Sequence, residues 1–345
     1  MSESLSVAQG PGDSHGRILS GVTLLFRWAV PIVIGLLFLV PTVVGSRLTI
    51  QVLTIACLNG ALVAGLALSL GYAGVLNFSQ GTFYGLGAYT TALLVTEYGV
   101  PFGWAMLAAL GVCAVAGWLF SLTTARVKGD YFALVSIALT IAFSQLCANL
   151  PSVTRGREGF FGLPDMSLFG LSFNDSTHTY YLCLGMFALV YLCMARISMG
   201  TFFRRSMLTV RYDDFAAKSM AISPFATKSI SLTVGSAVAG LAGAFLVGSI
   251  QFIRPEDFGF NPSFMISLYV IIGGIGTLPG AVAVALVLTY LQEQFRGLGD
   301  YRMGVLGFVV IAAVFWRAGV LDDFVKRMRV RFSGQSASQK EGERC

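Results

Sequence analysis

Residues 71–81 read GYAGVLNFSQG and interrupt a long apolar run with glycines and polar side chains. The preceding residues 48–70 carry no charge and are long enough to cross the hydrocarbon core as a helix, which takes roughly 20 apolar residues. Backbone that leaves the helix at membrane depth is tolerated only where protein or a water-filled cavity satisfies its polar groups. The stretch therefore has two interpretations, as the lining of a cavity or as a cytoplasmic turn.

The composition places most of the chain in a membrane. Of its 345 residues, 55% are hydrophobic and 12% are charged, and the mean hydropathy is +0.75, whereas soluble domains carry about a quarter charged residues. Apolar runs lie near 24–45, 48–70, 82–97, 104–125, 130–150, 179–198, 228–250, 263–275, 278–294 and 301–316. We therefore predict an all-α polytopic membrane protein with about ten transmembrane helices. The short run at 263–275 indicates that broken or re-entrant segments are among them.

Lysine and arginine accumulate in two regions, the loop at 196–228 and the chain after residue 317. Cytoplasmic segments retain these residues, so both regions are predicted to be cytoplasmic. An even number of spans then places both termini in the cytoplasm. We expect a disordered cytoplasmic tail at 1–20, a transmembrane domain at 21–320 with a cytoplasmic loop at 199–227, and a basic cytoplasmic tail at 321–345.

Several classes of function find no support in the sequence. The 23 basic residues flank apolar runs, so the net charge of +6 does not indicate binding to nucleic acid. His15 and His178 have no partners at ligand spacing, so no metal site is expected. No nucleophile, base and orienting group cluster as in an enzyme, and no cofactor is expected. The phosphate loop G-x-x-x-x-G-K-S/T is absent, so an active transporter built from this chain would take its energy from another subunit.

Polar side chains within or beside the spans are the candidates for contact with a transported solute. The fifth span carries a stripe of them at four-residue spacing, which indicates either hydrogen bonds between helices or the wall of a substrate route. The predicted substrate contacts are Asn77, Ser79, Gln80, Tyr84, Thr140, Ser144 and Gln145.

Small residues form a second stripe in the seventh span. Ser236, Gly240, Ala244 and Gly248 recur every four residues and therefore share one helix face. In lipid, small residues allow helices to approach closely. We predict that this face packs against neighbouring helices.

The basic cytoplasmic loop contains a predicted short helix at residues 213–222, DDFAAKSMAI. Acidic residues in its first turn favour the helix dipole, and Ser223-Pro224 ends it. Such a helix could fill a groove on a partner, and a helix lying on the membrane surface would have a similar pattern.

Together, these motifs resemble the inner-membrane permeases of branched-chain amino acid ABC transporters, of the LivM type. The resemblance extends from about residue 50 to residue 321. Its motifs are GYAG at 71–74 leading to Gly81, GLGAYT at 85–90, TRGREG at 154–159 followed by GLP at 162–164, DFAA at 214–217, GLAGA at 240–244, PEDF at 255–258 and GGIGTLPGA at 273–281.

The resemblance implies a permease subunit of an ATP-driven importer in the bacterial inner (plasma) membrane, which moves branched-chain or related amino acids into the cytoplasm. The implied partners are a second permease subunit, two ABC ATPase subunits that hydrolyse the ATP, an extracytoplasmic solute-binding protein and the lipid bilayer. The chain would itself be no enzyme and would hold no cofactor. The alternative, an ion-coupled carrier or a channel for a small polar solute such as urea or an amide, would work without an ATPase.

The resemblance also assigns the cytoplasmic loop to the segment that docks in the ATPase. The implied coupling residues are Asp213, Asp214, Ala216, Ala217, Met220 and Ala221. The family usually has Ala-Met-Gly-Ile where this chain has Ser219-Met220-Ala221-Ile222, and alanine in place of glycine is expected to leave the helix better formed. Residues 77–80 also depart from the family, which commonly has Ser-Leu-Gly-His there.

Overall fold

The computed structural model describes residues 46–294, except 125–126, 128–129, 164–165, 169–170 and 173–174, together with the single positions 35, 304 and 307. The tails predicted at 1–20 and 321–345 lie outside the described residues. So do the first and tenth predicted spans, apart from those single positions. The described residues up to Thr289 form one compact unit, and those from Tyr290 onward belong to a second.

Long helices dominate the described part of the chain. In order they are α1 (Arg47–Leu66), which continues as a π-helix (Ala67–Tyr72), α2 (Gln80–Thr96), α3 (Phe102–Thr124), α4 (Asp130–Asn149), α5 (Pro151–Thr154), α6 (Ser176–Met199), α7 (Thr201–Tyr212), α8 (Asp214–Ser219), α9 (Pro224–Ile250), α10 (Phe260–Gly274) and α11 (Leu278–Gln294). Each predicted span from 48–70 to 278–294 falls on one of these helices.

Five of the helical stretches among the described residues are long and apolar enough to cross a membrane. They are Arg47–Tyr72, Phe102–Thr123, Tyr131–Asn149, Ser176–Ser198 and Pro224–Ile250. The predicted all-α polytopic architecture is therefore confirmed. Helices α2, α10 and α11 are shorter, with 17, 15 and 17 residues.

Short strands and turns connect the helices. Strand β1 (Phe160–Phe161) pairs antiparallel with β4 (Phe252–Ile253), and β2 (Ser167–Leu168) pairs with β3 (Leu171–Ser172). Two 3₁₀ turns span Gly156–Glu158 and Pro255–Phe258.

The helix interruption predicted at 71–81 is present. The chain leaves the π-helix at Ala73, turns at Gly74 with a φ of +70°, and re-enters a helix at Gln80. Gln80 Nε2 donates to the carbonyl oxygens of Leu62, in the interior of α1, and Gly235, in the interior of α9. The first residue of α2 therefore lies beside the middle of two long helices, the stretch Arg47–Tyr72 and α9. Residues 73–79 connect it to the end of the π-helix. We call residues 73–79 the break.

Helix α9 holds the bundle together through the predicted small-residue face and its neighbours. A Cβ atom at Gly240 would collide with Cys113 of α3, and a Cβ atom at Gly243 would collide with the backbone of α2 at Tyr84. Gly87 of α2 lies against the backbone of Gly240. The packing role predicted for this stripe is confirmed, because these contacts leave no space for larger side chains.

The two ends of the bundle differ in what meets there. At one end, which we call the α7 end, Gly74, Val127 and Arg211 line a common cavity. At the other, the β1–β4 end, the two strands pair and Arg155 contacts Glu97 at 3.5 Å, just beyond α2. The long helices alternate in direction between these ends, as a chain that crosses a membrane repeatedly requires.

The packing of α9 generates the first prediction. Gly243→Ala should lower the free energy of unfolding by about 1–3 kcal/mol, because overpacking of a filled interface forces backbone shifts. The matched control is Gly111→Ala in α3, where nothing lies within 4 Å of the added methyl group. The control should be neutral or stabilising by up to about 1 kcal/mol, since alanine is the better helix former. Thermal unfolding of the detergent-solubilised variants measures both, and equal melting temperatures would contradict the assigned contact.

Candidate functional site

The break is held by hydroxyl groups from two other helices. The backbone N–H of Phe78 donates to Ser136 Oγ at 3.0 Å, and Thr140 Oγ1 donates to the carbonyl of Phe78 at 3.0 Å. Both hydroxyls belong to α4. On the other side, Ser267 Oγ of α10 donates to the carbonyl of Asn77 at 3.1 Å. Ser263 Oγ, one turn earlier, accepts from the N–H of Gly81 at 3.1 Å.

The polar side chains of the break itself are also paired. Asn77 Oδ1 accepts from the N–H of Ser79 at 2.9 Å and from its hydroxyl at 2.6 Å. Asn77, Ser79 and Gln80 are all buried. These predicted substrate contacts thus have hydrogen-bond partners within the protein. The hydroxyl stripe of α4 makes hydrogen bonds between helices, which is one of the two roles predicted for it.

Two further predicted substrate contacts meet the 3₁₀ turn at Pro255–Phe258. The ring of Tyr84 lies edge-on to Phe258, with centroids 5.4 Å apart, and Ser144 Oγ donates to the carbonyl of Pro255 at 3.1 Å. In the same turn, burial raises the pKa of the Asp257 carboxyl, although the N–H and guanidinium of Arg254 partly offset the shift. Gln145 lies apart on the exposed side of α4, so it is the predicted contact that the structure does not bring to this region.

Sequence reasoning missed Ser263 and Ser267 as parts of this site. They lie four residues apart in α10, both almost fully buried, and face the break. The signal was present, because the spacing matches that of Ser136 and Thr140 in α4.

The second candidate region is the segment formed by α7 and α8. Met207 and Val210 of α7 are buried, whereas Phe202 and Tyr212 are about four-fifths exposed. This 12-residue amphipathic helix was not predicted as a separate element. It places one apolar face on the bundle and leaves other large apolar side chains at the surface.

Helix α8 is capped and anchored at its first residues. The side chain of Asp213 accepts from the N–H of Phe215 at 2.7 Å, which caps the helix. Both carboxylate oxygens of Asp214 lie 3.0 Å from Lys228 Nζ, near the start of α9. The pair is partly buried, so it ties α8 to the bundle more firmly than an exposed ion pair would.

The end of α8 corrects a prediction. The helix stops at Ser219, and the N–H groups of Ala221 and Ile222 donate to the carbonyls of Lys218 and Ala217, both at 3.0 Å. This is the Schellman pattern, in which the residue after the C-cap, here after Met220, adopts the left-handed conformation. Ala221 has a φ of +57°. The expectation that alanine leaves the helix better formed was wrong, because Ala221 lies beyond the helix in a conformation that favours glycine.

The implied coupling residues divide into buried and exposed positions. Ala217 is fully buried within this chain, whereas Ala216 and Met220 are exposed. An open groove of about 440 Å³ runs over the exposed side, lined by Arg205, Leu208, Thr209, Tyr212, Asp213, Ala216 and Met220. A second cavity of about 380 Å³ is lined by residues of this segment and by the turn at residues 73–75. A partner can therefore reach Ala216 and Met220 but not Ala217.

The strain at Ala221 gives a prediction. Ala221→Gly should raise the free energy of unfolding by about 1 kcal/mol, because the left-handed conformation costs alanine roughly 1–2 kcal/mol and glycine little. The control is Ala138→Gly, at an exposed position in the interior of α4, which should lose about 0.5–1 kcal/mol. Thermal unfolding in detergent reports both signs. A destabilised Ala221→Gly variant would rule out the conformation assigned here.

Comparison with known proteins places these features in a family. A model of the permease component of branched-chain amino acid transport systems matches residues 48–314. The chain is 29% identical over 323 residues to the high-affinity branched-chain amino acid transport system permease protein LivM of Salmonella typhimurium LT2, covering 86% of this chain and 75% of that protein.

Two permease proteins of Escherichia coli K12 are also similar in sequence to this chain. The LivM protein is 29% identical over 295 residues, covering 79% of this chain and 69% of its own length. The LivH permease protein is 24% identical over 275 residues, covering 73% of this chain and 89% of its own length. No solved structure matches the chain at a significant level.

Proposed function

The chain belongs to the family of permease components of branched-chain amino acid transport systems, and from this premise we propose how it works. It is the membrane-spanning permease subunit of an ATP-driven importer that carries branched-chain or related amino acids into the cytoplasm. The family is one of transport permeases and not of enzymes. The observation that carries the proposal is the α7–α8 segment, which exposes apolar side chains beside a groove while it is anchored to α9 through Asp214 and Lys228.

The proposed complex contains two permease chains and two ABC ATPase subunits, which hydrolyse the ATP, and receives its solute from an extracytoplasmic binding protein. Two differently named permease proteins of one organism, LivM and LivH, both align with most of this chain. Their shared likeness supports a second, non-identical permease as partner. The absence of a phosphate loop from the sequence supports ATP hydrolysis on other subunits, with no cofactor bound by this one.

We further propose that the α7 end faces the cytoplasm of a bacterial inner membrane. Arg204, Arg205 and Arg211 of α7 lie at this end, followed by Lys218 and Lys228. Cytoplasmic segments carry this excess of basic residues. Because the long helices alternate in direction, the same proposal puts the β1–β4 end outside, and with the spans predicted near 24–45 and 301–316 it puts both termini in the cytoplasm.

The substrate route is proposed to pass the break. Transporters place binding sites near the membrane midplane, where helices are interrupted. Asn77, Ser79 and Gln80 stand at such a point, and Thr140 holds the backbone beside them. Tyr84 and Ser144 extend this polar path toward the β1–β4 end, and Gln145 offers a polar group on the surface of α4.

A bulky side chain at Ser79 tests the route. Ser79→Leu places an apolar group beside the Asn77 carboxamide in a fully buried position, where overpacking costs about 1–3 kcal/mol. Where that cost falls on the conformation that passes solute, uptake should drop about fivefold or more, at about 1.4 kcal/mol per tenfold. Co-purification with the ATPase should persist. Ser79→Ala, which removes only the hydroxyl, is the matched control and should have a smaller effect. Unchanged uptake in Ser79→Leu at full expression would remove the break from the route, and loss of assembly would assign Ser79 to packing alone.

An arginine at Ala216 tests both the docking surface and the function. In proteoliposomes the wild-type chain with its ATPase, second permease and binding protein should take up a branched-chain amino acid only with ATP. Ala216→Arg should reduce co-purified ATPase about tenfold or more, because an unpaired charge is buried in the interface. The folded chain should tolerate the change, since the position is exposed.

Two variants serve as controls for this experiment. Ser176→Arg is exposed at the β1–β4 end and should bind the ATPase normally. Ala217→Arg buries the charge within the chain itself and should lower the chain's own stability. ATPase binding equal to wild type in Ala216→Arg would exclude this groove as the docking surface. Uptake without any ATPase would favour a carrier or channel.

A further inference from the structure

Arg211, the penultimate residue of α7, lies where three segments of the chain meet. Its Nη1 donates to the carbonyl of Gly71 in the last turn of the π-helix, at 2.9 Å. Its aliphatic part lies over Gly74, where a Cβ atom would be 2.6 Å from Arg211 Cγ. Gly276, between α10 and α11, lies against Gly71 and close to the same guanidinium. One side chain thus lies beside both glycine-rich interruptions of the membrane helices.

The hydrogen bond from Arg211 to the Gly71 carbonyl is expected to be strong. Carbonyls in the last turn of a helix lack the N–H groups that a continuing helix would supply, and that end carries partial negative charge. A guanidinium is permanently charged and donates strongly to such a carbonyl. Gly74 and Gly276 have φ values of +70° and +89°, which glycine adopts without strain, so the turns come close to the arginine with no side chain between them.

The packing of α7 against the bundle does not depend on Arg211. Met207 and Val210 are 1% and 3% exposed and fill the contact beneath the helix. Asp214 and Lys228 form a separate anchor one turn further along. Removing the guanidinium therefore leaves the segment in place and breaks one specific connection.

That connection leads to the break. Residues 73–79 begin two positions after Gly71, and the hydrogen bonds of Asn77 and Phe78 join them to α10 and α4. The other anchor leads to α9, whose small-residue contacts with α2 and α3 leave little freedom to move. The α7–α8 segment is thus connected to the break through Arg211 and to α9 through Lys228.

We propose that Arg211 is a positioning residue that transmits movement of the α7–α8 segment to the break and so couples ATP hydrolysis to solute passage. The proposal rests on the proposed function. Spatial continuity alone does not establish energetic coupling, so the test measures coupling directly.

The experiment uses the complete transporter in proteoliposomes and determines leucine taken up per ATP hydrolysed. Arg211→Met removes the charge and the donors but keeps a long side chain over Gly74. Leucine per ATP should fall about tenfold, the factor expected for loss of a charged hydrogen bond, while co-purified ATPase and basal hydrolysis stay within about twofold of wild type. Arg211→Lys, which keeps the charge, should recover part of the ratio. Arg204→Met removes an exposed arginine from the same helix and should match wild type.

A second variant covers the case in which Arg211→Met does not assemble. Gly74→Ala keeps the arginine but puts a methyl group 2.6 Å from its Cγ, so the side chain must shift and the ratio should fall in the same way. A wild-type ratio in Arg211→Met, or in Gly74→Ala when only that complex assembles, would overturn the proposal. Loss of the ATPase from an otherwise folded Arg211→Met chain would also overturn it, by making Arg211 a docking residue. A wild-type complex without ATP-dependent uptake would instead refute the proposed function.

Discussion

A backbone that leaves the helix inside a membrane must find partners for its N–H and C=O groups within the protein, because lipid supplies none. The break at residues 73–79 meets this constraint through a particular set of hydroxyls. Phe78 has both backbone groups bonded to α4, and the carbonyl of Asn77 is bonded to α10. An unpaired buried group would cost about 1–3 kcal/mol. The positions of α4 and α10 relative to α2 therefore follow from where the break needs donors and acceptors.

This arrangement of helices around the break also requires the close packing of α9 against its neighbours. Gln80 contacts the carbonyls of Leu62 and Gly235 with one amide group, which requires α1 and α9 to lie close together beside the start of α2. Glycines at 65 and 235 face each other there, and a Cβ atom on either would lie 3.1 Å from the other helix, closer than most side-chain contacts. Hydrophobic burial contributes little between helices in lipid, so contacts of this kind provide the specificity that a soluble core obtains from side-chain packing.

Sequence patterns predicted the features that depend on local periodicity. Apolar runs located the long helices, the spacing of Gly240 and Gly248 indicated a packing face, and the glycines around residue 74 marked the interruption. The patterns could not indicate which hydroxyl meets which backbone group, since Ser136 lies 58 residues from Phe78 and Ser267 lies 190 residues from Asn77. Nor could they show that Ala217 faces inward and Ala216 outward, because a helix of six residues is too short for a periodic signal.

The kind of group that hydrogen-bonds to the break also affects how the break could move. Its partners are mostly side-chain hydroxyls, and a hydroxyl can rotate to a new partner without movement of its helix. Exchanging one such bond for another to water or solute changes the free energy by only about 0.5–1.5 kcal/mol, whereas leaving it unmade in a dry interior costs more. The cavity beside Gly74 does not include Asn77 or Ser79 in its lining. Rearranging the break therefore costs little free energy only when a polar molecule replaces the lost hydrogen bonds. A protein with such a break resists opening when no solute or water is there to form those bonds.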